Sequence, residues 1–85
     1  MRFMASIVIK PPSNPQELLA LLPAEKERVG ELLRSGAIEA AFPAAQQRRA
    51  WLVVKAETAE AARGIVASLP LHPYFEVEYT PLDEH

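Results

Sequence analysis

The chain predicts an α+β fold in which a four-stranded antiparallel sheet carries both of its helices on one face. Three stretches carry that expectation. Arg49-Ala50-Trp51-Leu52-Val53-Val54-Lys55-Ala56 has the β-branched and aromatic composition of a strand. Asn14-Pro15-Gln16-Glu17 opens a helical pattern that runs to Arg34, and Ser35-Gly36 closes it. The third stretch, Leu69 to Leu82, joins a proline-punctuated corner to a short strand. From Leu69 to Pro73 the prolines disfavour the α region for the residues before them, so no α-helix is expected there. From Tyr74 to Thr80, Phe75, Val77 and Tyr79 face one way and Tyr74, Glu76, Glu78 and Thr80 the other. Pro81 is expected to stop this strand, as befits a sheet edge.

The remaining elements follow in order. Arg2 to Lys10 is apolar and β-branched enough for a central strand, with Phe3, Ala5, Ile7 and Ile9 on one face. Pro11-Pro12-Ser13 is a loop. At the helix start, Asn14 can cap, Pro15 suits the first helical position, and Glu17 stands where a capping-box carboxylate reaches back. Pro23 falls inside this helix, where a proline costs about 3 kcal/mol. A kink is therefore expected, or a short helix followed by a second one beginning at Pro23. After Gly36, Ala37 to Phe42 is a weaker strand with Ile38, Ala40 and Phe42 alternating, and Pro43 to Arg48 is a turn or irregular edge. Thr58 caps a second helix from Ala59 to Ser68, whose apolar stripe is Ala62, Ile65, Val66 and Leu69.

Strand, helix, strand, strand, helix, strand is the ferredoxin-like βαββαβ plan, with strand order 4-1-3-2 and both crossovers right-handed. One sheet face is then left without helices. If Phe3, Ile7, Leu52, Val54, Phe75 and Val77 point to the helices, the bare face presents Met4, Val8, Trp51, Val53 and Tyr74. Arg2, Lys10, Glu39, Arg49, Lys55, Glu76 and Glu78 surround them. An apolar centre with a charged rim predicts self-association.

Composition narrows the function. The 85 residues make one domain, residues 1–85, small enough that a monomer would bury only roughly 60–65% of its unfolded surface. A formal net charge of −2 argues against a nucleic-acid surface. With no cysteine, thiolate nucleophiles, disulfides and thiolate metal sites are excluded. Of the two histidines, His85 is terminal, which makes a histidine metal centre improbable. Lys10-Pro11-Pro12 interrupts the first apolar run before it reaches signal-peptide length, and no stretch approaches the ~20 apolar residues of a membrane span. The expectation is a cytoplasmic protein with no membrane or nucleic-acid partner.

The corner Leu69-Pro70-Leu71-His72-Pro73-Tyr74, its acidic-apolar strand and Thr80-Pro81-Leu82 resemble the C-terminal signature of the muconolactone δ-isomerase family. The likeness extends to the Glu25-Lys26 pair, Gly36, the aromatic strand around Trp51, and Glu60. It covers nearly the whole chain. The resemblance implies a dimeric α+β barrel that assembles further, up to a decamer, and a cofactor-free isomerase of aromatic catabolism. Such an enzyme moves the double bond of an unsaturated lactone carrying a carboxylate. It also implies substrate-binding candidates in Lys10 at the end of the first strand, His72 and Tyr74; Phe42 and Arg49 are candidates from the stretch that departs from the family pattern and from the neighbouring strand. For Lys10 the alternative is a side chain snorkelling from a strand end, and for His72 it is a packing role in the corner.

Shifting a double bond in conjugation with a carbonyl needs a general base of raised pKa, shielded from water, and a cationic group for the substrate carboxylate. Periodicity nominates the base independently of the resemblance. Leu18, Leu22, Glu25, Val29 and Leu32 form one stripe at spacings of 4, 3, 4 and 3, which makes Glu25 the carboxylate on an apolar helix face. The competing readings are that Pro23 swings it outward or that an arginine pairs with it. One departure stands out. Where the family shows Trp-Arg-x-x-Trp-Arg after the glycine, this chain has Ile38, Glu39, Phe42 and Pro43. A pocket so built loses a cationic clamp and gains a like charge, with Arg48 and Arg49 the nearest substitutes. The expectation is a proton-transferring isomerase whose substrate has changed, acting on a small unsaturated lactone or related carbonyl compound. The alternative is a non-catalytic ligand-binding or assembly module of the same fold.

Overall fold

The computed structural model describes residues 1–10, 12–44 and 48–83. Its elements run β1 (Arg2–Ile9), α1 (Pro15–Ser35), β2 (Ile38–Pro43), β3 (Arg49–Lys55), α2 (Ala59–Ala67) and β4 (Phe75–Leu82). The strands form one antiparallel sheet in the order β2-β3-β1-β4, the expected 4-1-3-2 arrangement. Phe3, Ala5 and Ile7 of β1, Ile38 of β2, and Leu52 and Val54 of β3 meet Leu32 of α1 and Ala62 and Val66 of α2 in one buried cluster. Both helices therefore cover the same face. Each fully buried aliphatic side chain there, such as Ile7, Ile38, Val54 or Val66, contributes roughly 1.5–3 kcal/mol relative to exposure.

Local chemistry accounts for the helix ends. Asn14 has extended backbone and its side chain accepts from the Gln16 amide, with Pro15 at the first helical position. Gly36 closes α1 in the left-handed region (φ 85°, ψ 0°) and donates its N–H to the Leu33 carbonyl. Thr58 caps α2 by accepting from the Ala61 amide at 3.1 Å.

Three details depart from the sequence expectation. The second helix anticipated at Pro23 does not form, because α1 continues through it. Proline removes the bond to the carbonyl four residues back, and here that residue is Leu19, which is exposed so that its carbonyl can reach water. Pro81 does not stop the last strand. It sits within β4 opposite Phe3, on an edge strand that tolerates the missing N–H. The corner after α2 is not helix-free either: His72–Tyr74 makes one 3₁₀ turn, with Tyr74 N–H donating to the Leu71 carbonyl at 2.9 Å.

In β2 the simple alternation fails. Ile38 pairs with Val54 and Ala40 with Val53, so Glu39 is the extra residue of a bulge. Ile38 and Ala41 consequently lie over the core-facing Val54 and Leu52, while Ala40 and Phe42 lie beside Val53 and Trp51 on the open face. The Glu39 carboxylate is bound by the Arg2 guanidinium at 2.6 Å.

The glycines supply a test with two signs. At Gly36 a side chain meets no atom, but the left-handed backbone disfavours it. Gly36→Ala is expected to destabilise the fold by about 1–2 kcal/mol. Gly64 lies exposed within α2 with nothing near a built Cβ, so Gly64→Ala is expected to stabilise by up to about 1 kcal/mol. Urea denaturation of both variants measures the difference, and equal signs would contradict the backbone assignment.

Candidate functional site

Between α1 and the covered face of the sheet lies a cavity of about 410 Å³, within the range of small-molecule sites. Its floor is Ile7 and Ile9 of β1, Ala50 and Leu52 of β3, and Ala41 and Pro43 of β2. Alanines at 41 and 50 leave the space that larger side chains would fill. The corner closes one end with Leu69, Leu71 and Phe75, and α1 contributes Glu25, Lys26, Val29, Gly30 and Leu33. Glu25 is the carboxylate among these lining residues and Lys26 the cation.

Helix spacing brings Glu25 here. Positions 25, 29, 32 and 33 share one side of α1, so the stripe that buries Leu32 in the core carries Val29 and Glu25 to the cavity wall, about one and two turns earlier. The Leu71 amide donates to Glu25 Oε1 at 3.0 Å, tying α1 to the corner. Oε2 accepts no hydrogen bond from any described residue, and no arginine pairs with the carboxylate there. Burial pushes the Glu25 carboxyl above the ordinary carboxylate range; the Leu71 N–H pulls it the other way without cancelling the rise.

The other sequence-predicted candidates are spread more widely. Phe42 lines the cavity at its exposed margin, beside Trp51. Lys10 lies at the end of β1 and pairs with Glu76. Arg49 stacks on the Trp51 ring, its guanidinium 5.4 Å from the ring centre, so it belongs to the open face. His72 meets the Phe75 ring edge-on at 6.3 Å, and Tyr74 turns its hydroxyl toward Glu17 at 3.5 Å. None of Lys10, Arg49, His72 and Tyr74 lines the cavity. Glu39 does not line it either, being held by Arg2, so the like charge expected in the pocket is absent from its lining. Of the two positions that depart from the basic pattern, Pro43 alone reaches the wall.

Sequence reasoning passed over Lys26, Gly30, Leu33, Ala41 and Ala50 as cavity residues. The helical stripe pointed to Val29 and could have pointed to Leu33, but the small residues of β2 and β3 carry no signal until the bulge fixes their register.

Comparison with known proteins fits this geometry. The muconolactone delta-isomerase family matches residues 1–85. The chain belongs to the muconolactone delta-isomerase family. It is similar to muconolactone isomerase as seen in a crystal structure at 3.3 Å resolution, with TM-score 0.85 and 28% identity over 100% of this chain and 91% of that one. A comparison with curated proteins returns no match. Family membership accounts for the whole ββ-paired sheet and its two helices. No described helix is long and apolar enough to cross a membrane.

The raised Glu25 pKa has a consequence for stability. The folded state holds this proton more tightly than the unfolded state, so folding is favoured below the ordinary carboxylate pKa. That contribution is lost as pH rises through the folded value. Glu25→Gln retains an acceptor for the Leu71 amide and removes the ionisation. At neutral pH it is expected to be neutral or stabilising by up to about 1 kcal/mol, and to flatten the stability–pH curve just above the ordinary carboxylate range. Thermal melts from pH 4 to 7 check this; a variant that melts lower at pH 7 would show that the ionised carboxylate is needed for the fold.

Proposed function

We propose that this protein is a cofactor-free isomerase that moves a proton on a small unsaturated lactone or related carbonyl compound, with Glu25 as the base. The observation that supports this best is the single half-buried carboxylate in an apolar cavity, anchored through one oxygen by the Leu71 amide. The second oxygen is left for the substrate. Glu25 would remove a proton from a carbon conjugated with the carbonyl, and the electron pair would move into the carbonyl as a dienolate. The resulting carboxylic acid would return the proton two carbons away. One proton leaves and one returns, so the formula is unchanged and the balance calls for no oxidant, reductant or water. A carboxyl with pKa raised toward the working pH suits both halves of this exchange. Lys26, on the same wall, would supply positive charge to the dienolate oxygen.

The proposed protein works as a homo-oligomer built on the open sheet face. Met4, Val8, Trp51 and Val53 lie half-buried there in the single chain. Glu76 and Glu78 line its β4 side, while Arg49 and Lys55 stand on β3. A second copy related by a two-fold axis along the strands would set each acidic side over the partner's basic side and cover both apolar centres. Trp51→Asp is expected to dissociate the assembly, because it places a carboxylate in that contact. Sedimentation velocity at micromolar concentration reads the outcome, and a wild-type monomer would remove the premise.

The catalytic reading is tested by deuterium exchange from solvent into a panel of unsaturated lactones and related carbonyl compounds. Exchange is expected to rise with pH through the Glu25 ionisation and to fall by at least about 10²-fold in Glu25→Gln, the lower end of general-base contributions. Muconolactone itself is expected to turn over at least ~100-fold more slowly than with an enzyme that keeps both basic positions after the glycine, since about 1.5–3 kcal/mol attends each charge-assisted contact. Exchange that survives Glu25→Gln would eliminate Glu25 as base. A protein that binds lactones and exchanges none would instead be a non-catalytic binding module.

A further inference from the structure

We infer that the floor patch of Ala41, Pro43 and Ala50 is a specificity pocket for an uncharged hydrocarbon substituent, which a lactone held at Glu25 lays along β2 and β3. This deepens the proposed function, on which it rests, by naming the substrate class: an unsaturated lactone bearing an alkyl or aryl group in the place of a carboxylate.

The covered face of the sheet is unevenly filled. At one end Phe3, Ile38 and Val54 are sealed beneath the helices, at 2%, 0% and 0% exposure. Further along the same inward-facing rows, Ile9, Ala41 and Ala50 are only half-buried. Strand pairing gathers this open end. Ala50 stands between Ile7 of β1 and Pro43 of β2, and Ala41 lies opposite Leu52. Where Leu52 and Val54 fill the sealed end, two alanines leave the open end hollow. At about 410 Å³ the cavity falls among those that take drug-sized ligands, so a five-membered lactone ring at Glu25 leaves room over this floor.

The chemistry of the walls decides what fills that room. Every side-chain polar atom of the lining belongs to Glu25 and Lys26, neighbours on α1. Sheet and corner contribute hydrocarbon side chains alone. A carboxylate laid on the floor would give up its water with no side-chain donor there to replace it, which is costly. A hydrocarbon chain has no such hydration to forfeit and gains about fourfold in affinity per buried methylene. The mouth continues the pattern. Leu33 of α1 is 41% exposed and Phe42 of β2 is 56% exposed, large apolar side chains left wet at the edge of the cavity. Pro43, at a position where the resembled family carries an arginine, extends this apolar margin. Neither Arg48 nor Arg49 lines the cavity, and Arg49 is turned to Trp51 on the other face of the sheet.

The test titrates unreactive saturated γ-lactones calorimetrically into the full chain, with an ethyl, a butyl or an acetic acid side chain on the ring. The butyl lactone is expected to bind at least about tenfold more tightly than the ethyl lactone, the effect of two buried methylenes. It is expected to exceed the acid by at least as much. Ala50→Leu fills the floor and is expected to remove most of the butyl preference while ethyl binding holds. Ala41→Val, a milder filling that suits a strand, is expected to lower the preference in the same direction. Leu19→Ser, at an exposed site outside the cavity, is expected to change neither affinity. Thermal melts establish that each variant is folded. Equal binding of ethyl and butyl lactones, tighter binding of the acid, binding of none, or a preference untouched in both folded alanine variants would overturn the inference. The expected series in a protein that exchanges no deuterium would uphold the floor pocket and refute the proton-transfer reading. Exchange into lactones alongside a flat alkyl series would do the reverse.

Discussion

The contact between the Leu71 amide and the Glu25 carboxylate holds the site together. It joins α1 to a corner some 46 positions away in sequence, and both partners lie on the cavity wall. The corner is itself fixed from two directions. Leu69 and Leu71 are buried, and the Lys10 amide donates to the Tyr74 carbonyl at 2.7 Å, fastening the corner to the end of β1. A carboxylate that accepted nothing would be costly at this depth. One that accepted several amides would ionise too easily to serve as a base. A single N–H leaves Glu25 oriented while its burial still governs its proton affinity.

The sheet divides its labour by alternation. In β1, Phe3, Ala5 and Ile7 enter the core, while Met4, Ser6 and Val8 face the open side. The same parity in β3 sends Leu52 and Val54 inward and leaves Trp51 and Val53 outward. The bulge at Glu39 breaks the parity in β2, so that both Ile38 and Ala41 serve the covered face and Phe42 moves out beside Trp51. Phe42 thereby borders the cavity and the open face at once, linking the surface proposed for assembly to the mouth of the cavity. The Arg2–Glu39 pair across the sheet is the polar counterpart of that displacement.

Much of this was legible in the residues. The caps at Asn14, Thr58 and Gly36 and the alternation in β1, β3 and β4 each carry a local physical signal, and together they leave one topology. The 4-3-4-3 spacing of α1 likewise pointed to Glu25, because helical periodicity survives whatever the helix packs against. What local signals could not supply was register and reach. Pro81 was read as an end and Pro23 as a kink or a break, yet the edge strand β4 runs on through Pro81 and α1 is continuous through Pro23. Glu39 was read as a charge in the pocket because it stands where the resembled family carries an arginine; in the fold it is the extra residue of β2 and is held by Arg2.

The cavity also shows why substitutions after Gly36 need not empty the site of cationic influence. A clamp can be built from any wall whose side chains reach the mouth, and the walls here are not equivalent. β2 presents Ala41 and Pro43, which set shape without charge. α1 presents Glu25, a lysine beside it, and a glycine over which an arginine lies. Placing Glu25 and Lys26 on one helix makes their relative positions a property of helical geometry, fixed by about 1.5 Å of rise per residue and independent of strand register. The sheet and corner are then left to define the volume and the apolar surroundings that raise the Glu25 pKa. The shape of such a cavity can shift by changing the floor, while the helix that carries Glu25 stays as it is.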